Sequence, residues 1–224
     1  MQFPEILFED NHLLVVNKPA GLLVQGDDTG DITLLDLAKE YIKDKYNKPG
    51  NVYIGLPHRL DRPVSGVVLL AKTSKALERL NKIFKSREVK KMYWALVEKR
   101  PTIETGRLMH YLVKNAKLNI TKAYVTERTD SKFADLSYEL LQEVGGKFLL
   151  EVSPVTGRPH QIRVQLASMG CSIVGDLKYG SPKPNRDASI CLHARSLQLI
   201  HPVTKVEIRI EADPPAVFKA YLKS

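Results

Sequence analysis

The 224-residue sequence lacks the features that mark several common classes of protein. Its two cysteines, Cys171 and Cys191, form no CxxC pair and suggest no zinc site. So few thiols fit a reducing cytoplasm, and the absence of any run of about 18 apolar residues argues against a transmembrane helix. The first residues show no basic segment followed by an apolar one, so no signal peptide is expected. These absences predict a cytoplasmic protein that does not associate with membranes.

Signatures of cofactors and metals are missing as well. The sequence contains no P-loop and no GxGxxG motif, so neither a nucleotide nor a dinucleotide cofactor is predicted. Its six histidines show no HExxH motif and no other spacing typical of metal ligands. We therefore expect a protein that works without a cofactor or a metal ion.

Positive charge is what the sequence has in excess. The formal net charge is +9, and residues 72–100 carry ten lysines and arginines against three acidic residues, a local net charge of +7. A cluster this concentrated favours a polyanionic partner such as nucleic acid. A lysine-rich face that only contacts solvent is the alternative interpretation.

Hydrophobic periodicity predicts a fold with more strands than helices. Apolar runs and alternation indicate strands at 13–16, 66–71 and 92–97, and hairpins that pair 136–140 with 148–152 and 197–199 with 206–210. Helices are expected at 33–46 with Thr33 as N-cap, from Thr73 or Ser74 onward, at Pro159–Met169 and from about Pro215. The hairpins imply antiparallel pairing. The predicted class is α+β, with a mixed, mainly antiparallel central sheet flanked by helices and loops.

The second predicted helix places its basic residues on one side. Apolar residues share one face at helical spacing: Leu77, Leu80 and Phe84. Four basic residues share the opposite face: Lys72, Lys75, Arg79 and Lys82. The pattern predicts a basic stripe that faces solvent.

One carboxylate stands out in the segment Pro57–Gly66, just before the apolar run 66–71. Asp61 lies between Arg59 and Arg62 in a loop that contains two prolines. Nearby positive charge favours its ionised form, which can act as a nucleophile or a base. A structural pairing of the aspartate with arginine, which fixes the loop, explains the same residues equally well.

Two further segments contain residues suited to binding. Residues 154–163 form a glycine-containing loop that enters a helix, with arginines, a histidine and an amide, which is typical of a phosphate or carboxylate site. A loop pinned by ordinary hydrogen bonds is the alternative. In the predicted strand at 92–97, Tyr93 and Trp94 point to opposite faces, so one is expected in the core while the other is free to stack on a base.

In this order, these segments resemble the RluA-type family of pseudouridine synthases. The resemblance covers most of the chain, and the pair formed by HRLD at 58–61 and GRPHQIR at 157–163 is its most specific part. The other segments that carry it are 8–21, 91–97, 175–180, 192–194 and 201–202. Two positions depart from the pattern of many members: Gln165 stands where they have histidine, and Val64 where they often have threonine.

The resemblance implies roles for individual residues. Asp61 matches the catalytic aspartate, Tyr93 the tyrosine that packs on the target base, and Arg163 the arginine that pairs with the aspartate. Arg59 matches the arginine that helps occupy the space left by the extruded base, and Leu192 lies in a segment that forms an apolar wall of the pocket. Further contacts with RNA are expected from the same segments and from the basic stripe: His58, Arg62, Arg158, His160, Gln161, Lys75, Arg79 and Lys82.

The implied reaction isomerises uridine in ribosomal or transfer RNA to pseudouridine, without a cofactor. The target base must leave the stack before its glycosidic bond can be reached. The implied fold is one catalytic domain over residues 1–224, in two closely joined halves with the active-site cleft between them. The pattern begins near Phe8, so no S4 RNA-binding domain is expected. No protein partner is indicated, and we expect a monomer.

Two other functions fit parts of the sequence. A catalytically idle RNA-binding module on the same fold should have lost the carboxylate, whereas Asp61, Tyr93 and Arg163 are all present. A glycosylase or glycoside hydrolase usually needs two carboxylates about 5–9.5 Å apart. Only Asp61 stands in a motif, and Asp176 or Asp187 is the candidate for a second carboxylate.

Overall fold

The computed structural model describes residues 2–26 and 29–222, which contain ten strands and four α-helices. The class is α+β, as the sequence predicts. Seven of the strand pairs in the described ranges are antiparallel. The strands are β1 (Glu5–Glu9), β2 (Leu13–Lys18), β3 (Ser65–Ala71), β4 (Lys90–Val97), β5 (Thr105–Asn115), β6 (Ile120–Tyr124), β7 (Lys132–Val144), β8 (Lys147–Pro154), β9 (Leu192–Ile200) and β10 (Glu207–Glu211). The helices are α1 (Leu34–Lys45), α2 (Ser74–Lys85), α3 (Gln161–Ser168) and α4 (Ala216–Leu222).

The chain divides into two compact units. The first unit contains Met1–Lys90 and Arg195–Asp213, and the second contains Lys91–Ala194 and Pro214–Ser224. None of the helices in the described ranges is long and apolar enough to cross a membrane.

In the first unit the strands lie in the order β1-β2-β3-β9, and β10 pairs with β9. All seven residues of β3 are buried, which confirms the prediction that the apolar run 66–71 is a buried strand. The side chains of this sheet pack on α2 through residues such as Leu13, Leu69, Leu80 and Leu197. One part of the unit's core therefore forms on the face of the sheet that α2 covers.

Both helices of the first unit begin where the sequence predicts. The Thr33 hydroxyl accepts a hydrogen bond from the Asp36 amide, and the Asp36 carboxylate accepts one from the Thr33 amide. This capping box satisfies donors that the first turn of α1 leaves unpaired. Thr73 caps α2 with its hydroxyl, which accepts a hydrogen bond from the Ala76 amide.

In the second unit the strands lie in the order β4-β8-β7-β5-β6, so β6 ends this array. Gly145 and Gly146 form the turn between β7 and β8, as predicted, and both have a positive φ (54° and 69°) that favours glycine. Helix α3 packs on this sheet through Val164, which contacts Leu112 and Ala134.

The helix predicted at Pro159–Met169 begins two residues later than expected. His160 has a φ of 55° and a ψ of 20°, a left-handed conformation that cannot belong to a right-handed helix. Helix α3 therefore starts at Gln161, and Pro159 lies in the preceding loop. Its end agrees with the prediction, since Gly170 follows at a φ of 81°.

Candidate active site

The Asp61 loop is attached to the turn that follows β2. The Gly21 amide donates to the Arg62 carbonyl (2.8 Å), and the Arg62 Nε donates to the Gly21 carbonyl (3.1 Å). Within the loop the Val64 amide donates to the Asp61 carbonyl (3.1 Å). Leu60 is buried, Asp61 is half-buried and Arg59 is exposed. The backbone of the loop is therefore fixed by hydrogen bonds, and the Asp61 side chain is partly accessible to solvent.

Arg62 has a structural role in addition to any contact with RNA. Its guanidinium pairs with the Asp31 carboxylate at 2.8 Å, and both side chains are half exposed. Because the Nε also binds Gly21, the arginine holds the loop against two other segments. Arg62 therefore helps to fix the loop through Asp31 and Gly21, and its contact with RNA stays a prediction.

Lys18, which the sequence analysis missed, is the most deeply buried charged group near Asp61. Its side chain is fully buried, and the Nζ donates to the carbonyls of Pro19 (2.9 Å), Leu22 (2.9 Å) and Arg62 (3.3 Å). Three acceptors match the three protons of an ammonium. Burial lowers the pKa of the Lys18 amine to about 7, while the charge of Asp61 raises it and that of Arg62 lowers it. The ammonium thus links the β2 turn to the Asp61 loop.

The lowered pKa of Lys18 predicts a change of stability with pH. Between about pH 7 and pH 10.5 the unfolded chain holds a proton on Lys18 that the folded chain has released. The free energy of unfolding should therefore rise with pH in this window, by up to about 1.4 kcal/mol per pH unit. Urea unfolding of the wild type and of Lys18→Met at pH 7 and pH 9 checks this. The wild type should gain about 2 kcal/mol more than the variant, and parallel curves would contradict the prediction.

His58 packs into the first unit beneath the same loop. Its Nε2 accepts a hydrogen bond from the Leu69 amide of β3 (2.9 Å), and its ring stacks on Phe84 of α2 with the ring centres 5.0 Å apart. Because Nε2 is an acceptor here, the neutral ring carries its proton on Nδ1. These contacts give His58 a structural function, and its contact with RNA stays a prediction.

In the second unit Arg163 and Asp176 form a buried, bidentate ion pair. The Arg163 Nε donates to one oxygen of the Asp176 carboxylate (2.7 Å), and its second nitrogen donates to the other oxygen (2.8 Å). Both residues are at most 5% exposed, and the guanidinium lies 5.0 Å from the centre of the Tyr179 ring. The Tyr179 hydroxyl lies 2.8 Å from the Nδ1 of His160 and accepts from the Thr121 amide (2.9 Å). Arg163 is therefore held in one orientation.

This pairing bears on the second carboxylate that a glycoside hydrolase needs. Both oxygens of Asp176 are engaged by Arg163 in a buried site, so Asp176 is not available as a base or nucleophile. Asp187 is exposed, and its Oδ1 accepts from the backbone amide and the hydroxyl of Ser189. Both carboxylates are therefore bonded to partners within the protein.

The loop at 154–163 is pinned by its own hydrogen bonds. The Gln161 Oε1 accepts from the Thr156 hydroxyl (2.8 Å) and the Arg158 amide (2.9 Å), and its Nε2 donates to the Asp135 carbonyl (3.1 Å). Gln161 is 4% exposed. The amide of Gln161 is therefore buried and bonded within the protein, and its contact with RNA stays a prediction. The side chain of Arg158 is only partly buried, and its Nε donates to the Phe133 carbonyl (3.0 Å).

Tyr93 lies in β4 opposite Val152 of β8. Tyr93 and Trp94 are both half-buried, so which of the two serves as the core residue stays a prediction. Leu192 begins β9 and is 4% exposed, which suits an apolar wall as well as a core position. The catalytic role of Tyr93 and the pocket role of Leu192 stay predictions.

The basic stripe consists of three residues in the structure, not four. Lys75, Arg79 and Lys82 are exposed on α2, and Lys82 pairs with Glu78 one turn earlier. Lys72 was expected on the same face, but its side chain is only 6% exposed and its Nζ binds the Glu9 carboxylate at 2.7 Å. It precedes α2, so the helical period does not apply to it. We use the name α2 stripe for Lys75, Arg79 and Lys82.

Comparisons with known proteins agree with these features. A family model described as RNA pseudouridylate synthase matches residues 12–168. The chain is 34% identical over 215 residues to ribosomal large subunit pseudouridine synthase C of Rickettsia prowazekii (strain Madrid E), covering 95% of this chain and 69% of the relative. It is 33% identical over 221 residues to synthase D of Zymomonas mobilis subsp. mobilis, covering 94% and 69%.

Solved structures give the same result for the fold. Human RNA pseudouridylate synthase domain containing 4 superposes with a TM-score of 0.81 at 27% identity, covering 98% of this chain and 92% of that one. Human RNA pseudouridylate synthase domain containing 1 superposes with a TM-score of 0.74 at 23% identity, covering 95% and 84%, and supports the fold alone.

These matches define an enzyme that modifies RNA by isomerisation. The chain belongs to the RNA pseudouridylate synthase family. Its activity is the conversion of uridine in RNA to pseudouridine, and the resemblance to the RluA-type family is confirmed. The fold and the reaction class could therefore be predicted from the sequence.

Proposed function

We propose that this pseudouridine synthase modifies uridine in the RNA of the large ribosomal subunit. The observation that carries the proposal is the identity of 34% across 95% of the chain to a ribosomal large subunit pseudouridine synthase. Synthases with that name from several other bacteria match over similar lengths. A transfer RNA target is the second candidate that the family resemblance implies.

Asp61 is the proposed catalytic carboxylate. The proposal is supported by the fixed loop that carries Asp61. Lys18 bonds to the carbonyls of Leu22 and Arg62, and Arg62 bonds to the carbonyl of Gly21, so the loop is attached to the turn after β2. A carboxylate held in one position reacts without first having to be oriented. Asp61 either attacks C1′ of the uridine or removes the 2′ proton to give a glycal, as the family resemblance implies.

The bond changes are the same for both routes. The C1′–N1 bond breaks, the detached uracil rotates, and a C1′–C5 bond forms. C5 then loses its proton and N1 gains one, so the reaction is redox-neutral and consumes no second substrate. The target nucleotide must first be flipped out of the RNA stack.

Tyr93 and Arg163 are proposed to complete the catalytic set, with Tyr93 packing on the uracil and Arg163 as the partner of Asp61. The orientation of Arg163 is supported by its bidentate bond to Asp176 and by the Tyr179 ring. Asp176 and Tyr179 are positioning residues, because they act through Arg163. Arg59, which is exposed in the Asp61 loop, is the proposed side chain that fills the space left by the flipped base.

The α2 stripe is proposed to bind phosphates of the RNA. We expect charge reversal of its three residues (K75E, R79E and K82E together) to weaken RNA binding and to lower the slope of log K against log salt by about 2–3, because each lost phosphate contact releases fewer counterions. Filter binding at several salt concentrations measures the slope. The control reverses Lys39 and Lys43, which are exposed on α1. A slope equal to that of the wild type would show that the stripe only contacts solvent.

Pseudouridine mapping of total RNA from cells with and without this protein tests the proposed substrate. The expected result is the loss of one or more pseudouridines from large-subunit ribosomal RNA, restored by the wild-type chain. If pseudouridines were lost only from transfer RNA, transfer RNA would be the substrate in place of ribosomal RNA. Loss of no site in any RNA would contradict the proposal.

Three further properties are proposed on the same basis. We propose that the chain works as one catalytic domain, that it is a monomer, and that it acts in the cytoplasm where ribosomal RNA is found in bacteria. Both cysteines are buried free thiols, which fits a reducing compartment.

A further inference from the structure

Three aromatic side chains lie in one row across neighbouring strands of the second unit. Tyr111 of β5 is directly opposite Tyr124 of β6 on one side and Phe133 of β7 on the other. Residues directly opposite each other in antiparallel strands project from the same face of the sheet. The rings of Tyr111 and Phe133 have centres 5.8 Å apart and are inclined by 66°. We call these three residues the aromatic row.

The aromatic row lies on the face of the sheet opposite to the one that α3 covers. The residues next to it, Leu112, Ala123 and Ala134, pack against α3. Since successive residues of a strand point to opposite faces, the aromatic row points away from α3. Phe133 is 38% exposed and both tyrosines are partly exposed. The rings are thus accessible and are not needed to fill the core beneath α3.

Basic side chains lie at both ends of the aromatic row. The guanidinium of Arg128 lies 5.4 Å from the centre of the Tyr124 ring, and the Nε of Arg158 donates to the Phe133 carbonyl. Lys122, two residues from Tyr124, projects from the same face and is exposed. Six basic residues against two acidic ones lie in 105–132, which gives this part of the unit a positive charge.

A carboxylate of β7 on this face is paired with an arginine. Asp135 of β7 lies two residues from Phe133, and Arg107 binds both of its oxygens at 2.8 Å and 2.6 Å. The aromatic row is therefore bordered by net positive charge. Glu127 and Asp130, the two acidic residues of the segment, are exposed in the loop that carries Arg128.

We propose that the aromatic row is a platform on which unpaired nucleotides of the RNA stack. An unpaired nucleotide presents a flat π-face and a phosphate together, and this combination matches rings flanked by guanidinium and ammonium groups. A protein partner or a second copy of the chain is the alternative occupant, since aromatic residues and arginine are also enriched in protein interfaces. The concentration of positive charge around the rings favours RNA. The inference rests on the proposed function in that it takes RNA as the ligand. It extends that function to residues that the catalytic set and the α2 stripe do not include.

The platform is tested by variants that remove an aromatic ring but keep an apolar side chain at the same position. Tyr124→Leu and Phe133→Leu keep an apolar side chain on the sheet but remove the stacking surface, whereas Tyr124→Phe and Phe133→Tyr keep it. The probe is a fluorescent 12-nucleotide oligouridylate, and its binding is followed by anisotropy. We expect binding about tenfold weaker for each leucine variant and no change for the ring-preserving variants. Tyr53→Leu, which removes a half-exposed ring of the first unit, is the matched control.

Photocrosslinking of the same oligouridylate to the wild-type protein locates the contact. The expected result is a crosslinked peptide that contains Tyr124 or Phe133. Equal binding by leucine and ring-preserving variants would overturn the inference, as would the absence of a crosslink in this segment. A wild-type dimer that only the leucine variants dissociate would show a protein interface in place of a platform.

The outcomes separate this inference from the proposed function. Oligouridylate binding is measured without turnover, so the platform can fail while pseudouridine still forms in large-subunit ribosomal RNA. Conversely, the wild-type protein could leave ribosomal RNA unmodified and still crosslink through the aromatic row. That result would refute the proposed substrate and support the platform. Arg128→Ala adds an independent check, because loss of its charge should weaken oligouridylate binding and leave the melting temperature unchanged.

Discussion

Replacement of Asp61 by alanine should abolish pseudouridine formation and leave RNA binding within about twofold of the wild type. Under either proposed route the Asp61 carboxylate is the group that reacts with the ribose, so we expect its loss to remove the chemical step. We expect the single-turnover rate to fall by at least about a thousandfold. The measurement is release of tritium from [5-³H]uridine-labelled RNA, because C5 loses its hydrogen only when isomerisation is complete.

Two controls make this result specific. Asp61→Asn keeps the shape of the side chain without its charge and should be as inactive as Asp61→Ala. Asp44→Ala removes an exposed carboxylate from α1 and should have wild-type activity. Full activity of Asp61→Ala would refute the assignment of this residue. A loss of RNA binding in parallel with activity would instead indicate a damaged loop, as expected if Asp61 only pairs with arginine.

Replacement of Asp176 by alanine should produce a large loss of stability. It leaves the Arg163 guanidinium buried without the carboxylate that binds it through two hydrogen bonds. Breaking a buried pair in this way costs about 3–5 kcal/mol, because the remaining charge is desolvated and uncompensated. Urea unfolding monitored by circular dichroism measures the change in the free energy of unfolding.

The exposed pair between Glu78 and Lys82 provides the matched control. Both side chains are about 70% exposed, and Glu78→Ala should leave the unfolding curve unchanged. In the background of Asp176→Ala, Arg163→Met removes the uncompensated charge and should recover part of the lost stability. A loss from Asp176→Ala no larger than that from Glu78→Ala would contradict the prediction.

Most of the fold could be predicted because its strongest elements bury one face completely. The run at 66–71 and the caps at Thr33 and Thr73 are local signals that tertiary packing then reinforces. Strand β5 was not predicted, since only one of its eleven residues is fully buried and its apolar residues show no clear alternation. Strand β6 is a short strand at the end of its array, where little burial selects the sequence.

The candidate site was less completely predictable, for a different physical reason. Asp61, Tyr93 and Arg163 stand in motifs, so the sequence names them. The partners that orient such groups depend on contacts that form only on folding, and Lys18 and Asp176 belong to this class. A signal for Lys18 was nevertheless present, because it ends a strand whose first four residues are all buried.

The stripe shows the same limit at single-residue scale. Helical spacing groups Lys72 with Lys75, Arg79 and Lys82, but spacing carries no information on where the helix begins or what lies beside it. Glu9 of β1 is distant in sequence and withdraws the Lys72 ammonium from the surface. A charge pattern therefore predicts a face well within a helix and poorly for a residue that precedes the helix.

Below about pH 7, where Lys18 holds its proton, its caged ammonium gives the Asp61 loop a counterion that is part of the polypeptide. Buried charges are screened by dissolved salt far less than exposed ones. The field that Lys18 exerts on Asp61 should thus be the same in dilute buffer and at physiological ionic strength. When the activity of this enzyme is measured against salt concentration, the changes should therefore come from ions around the RNA and around the exposed arginines and lysines. The contribution of Lys18 to the field at Asp61 should stay constant.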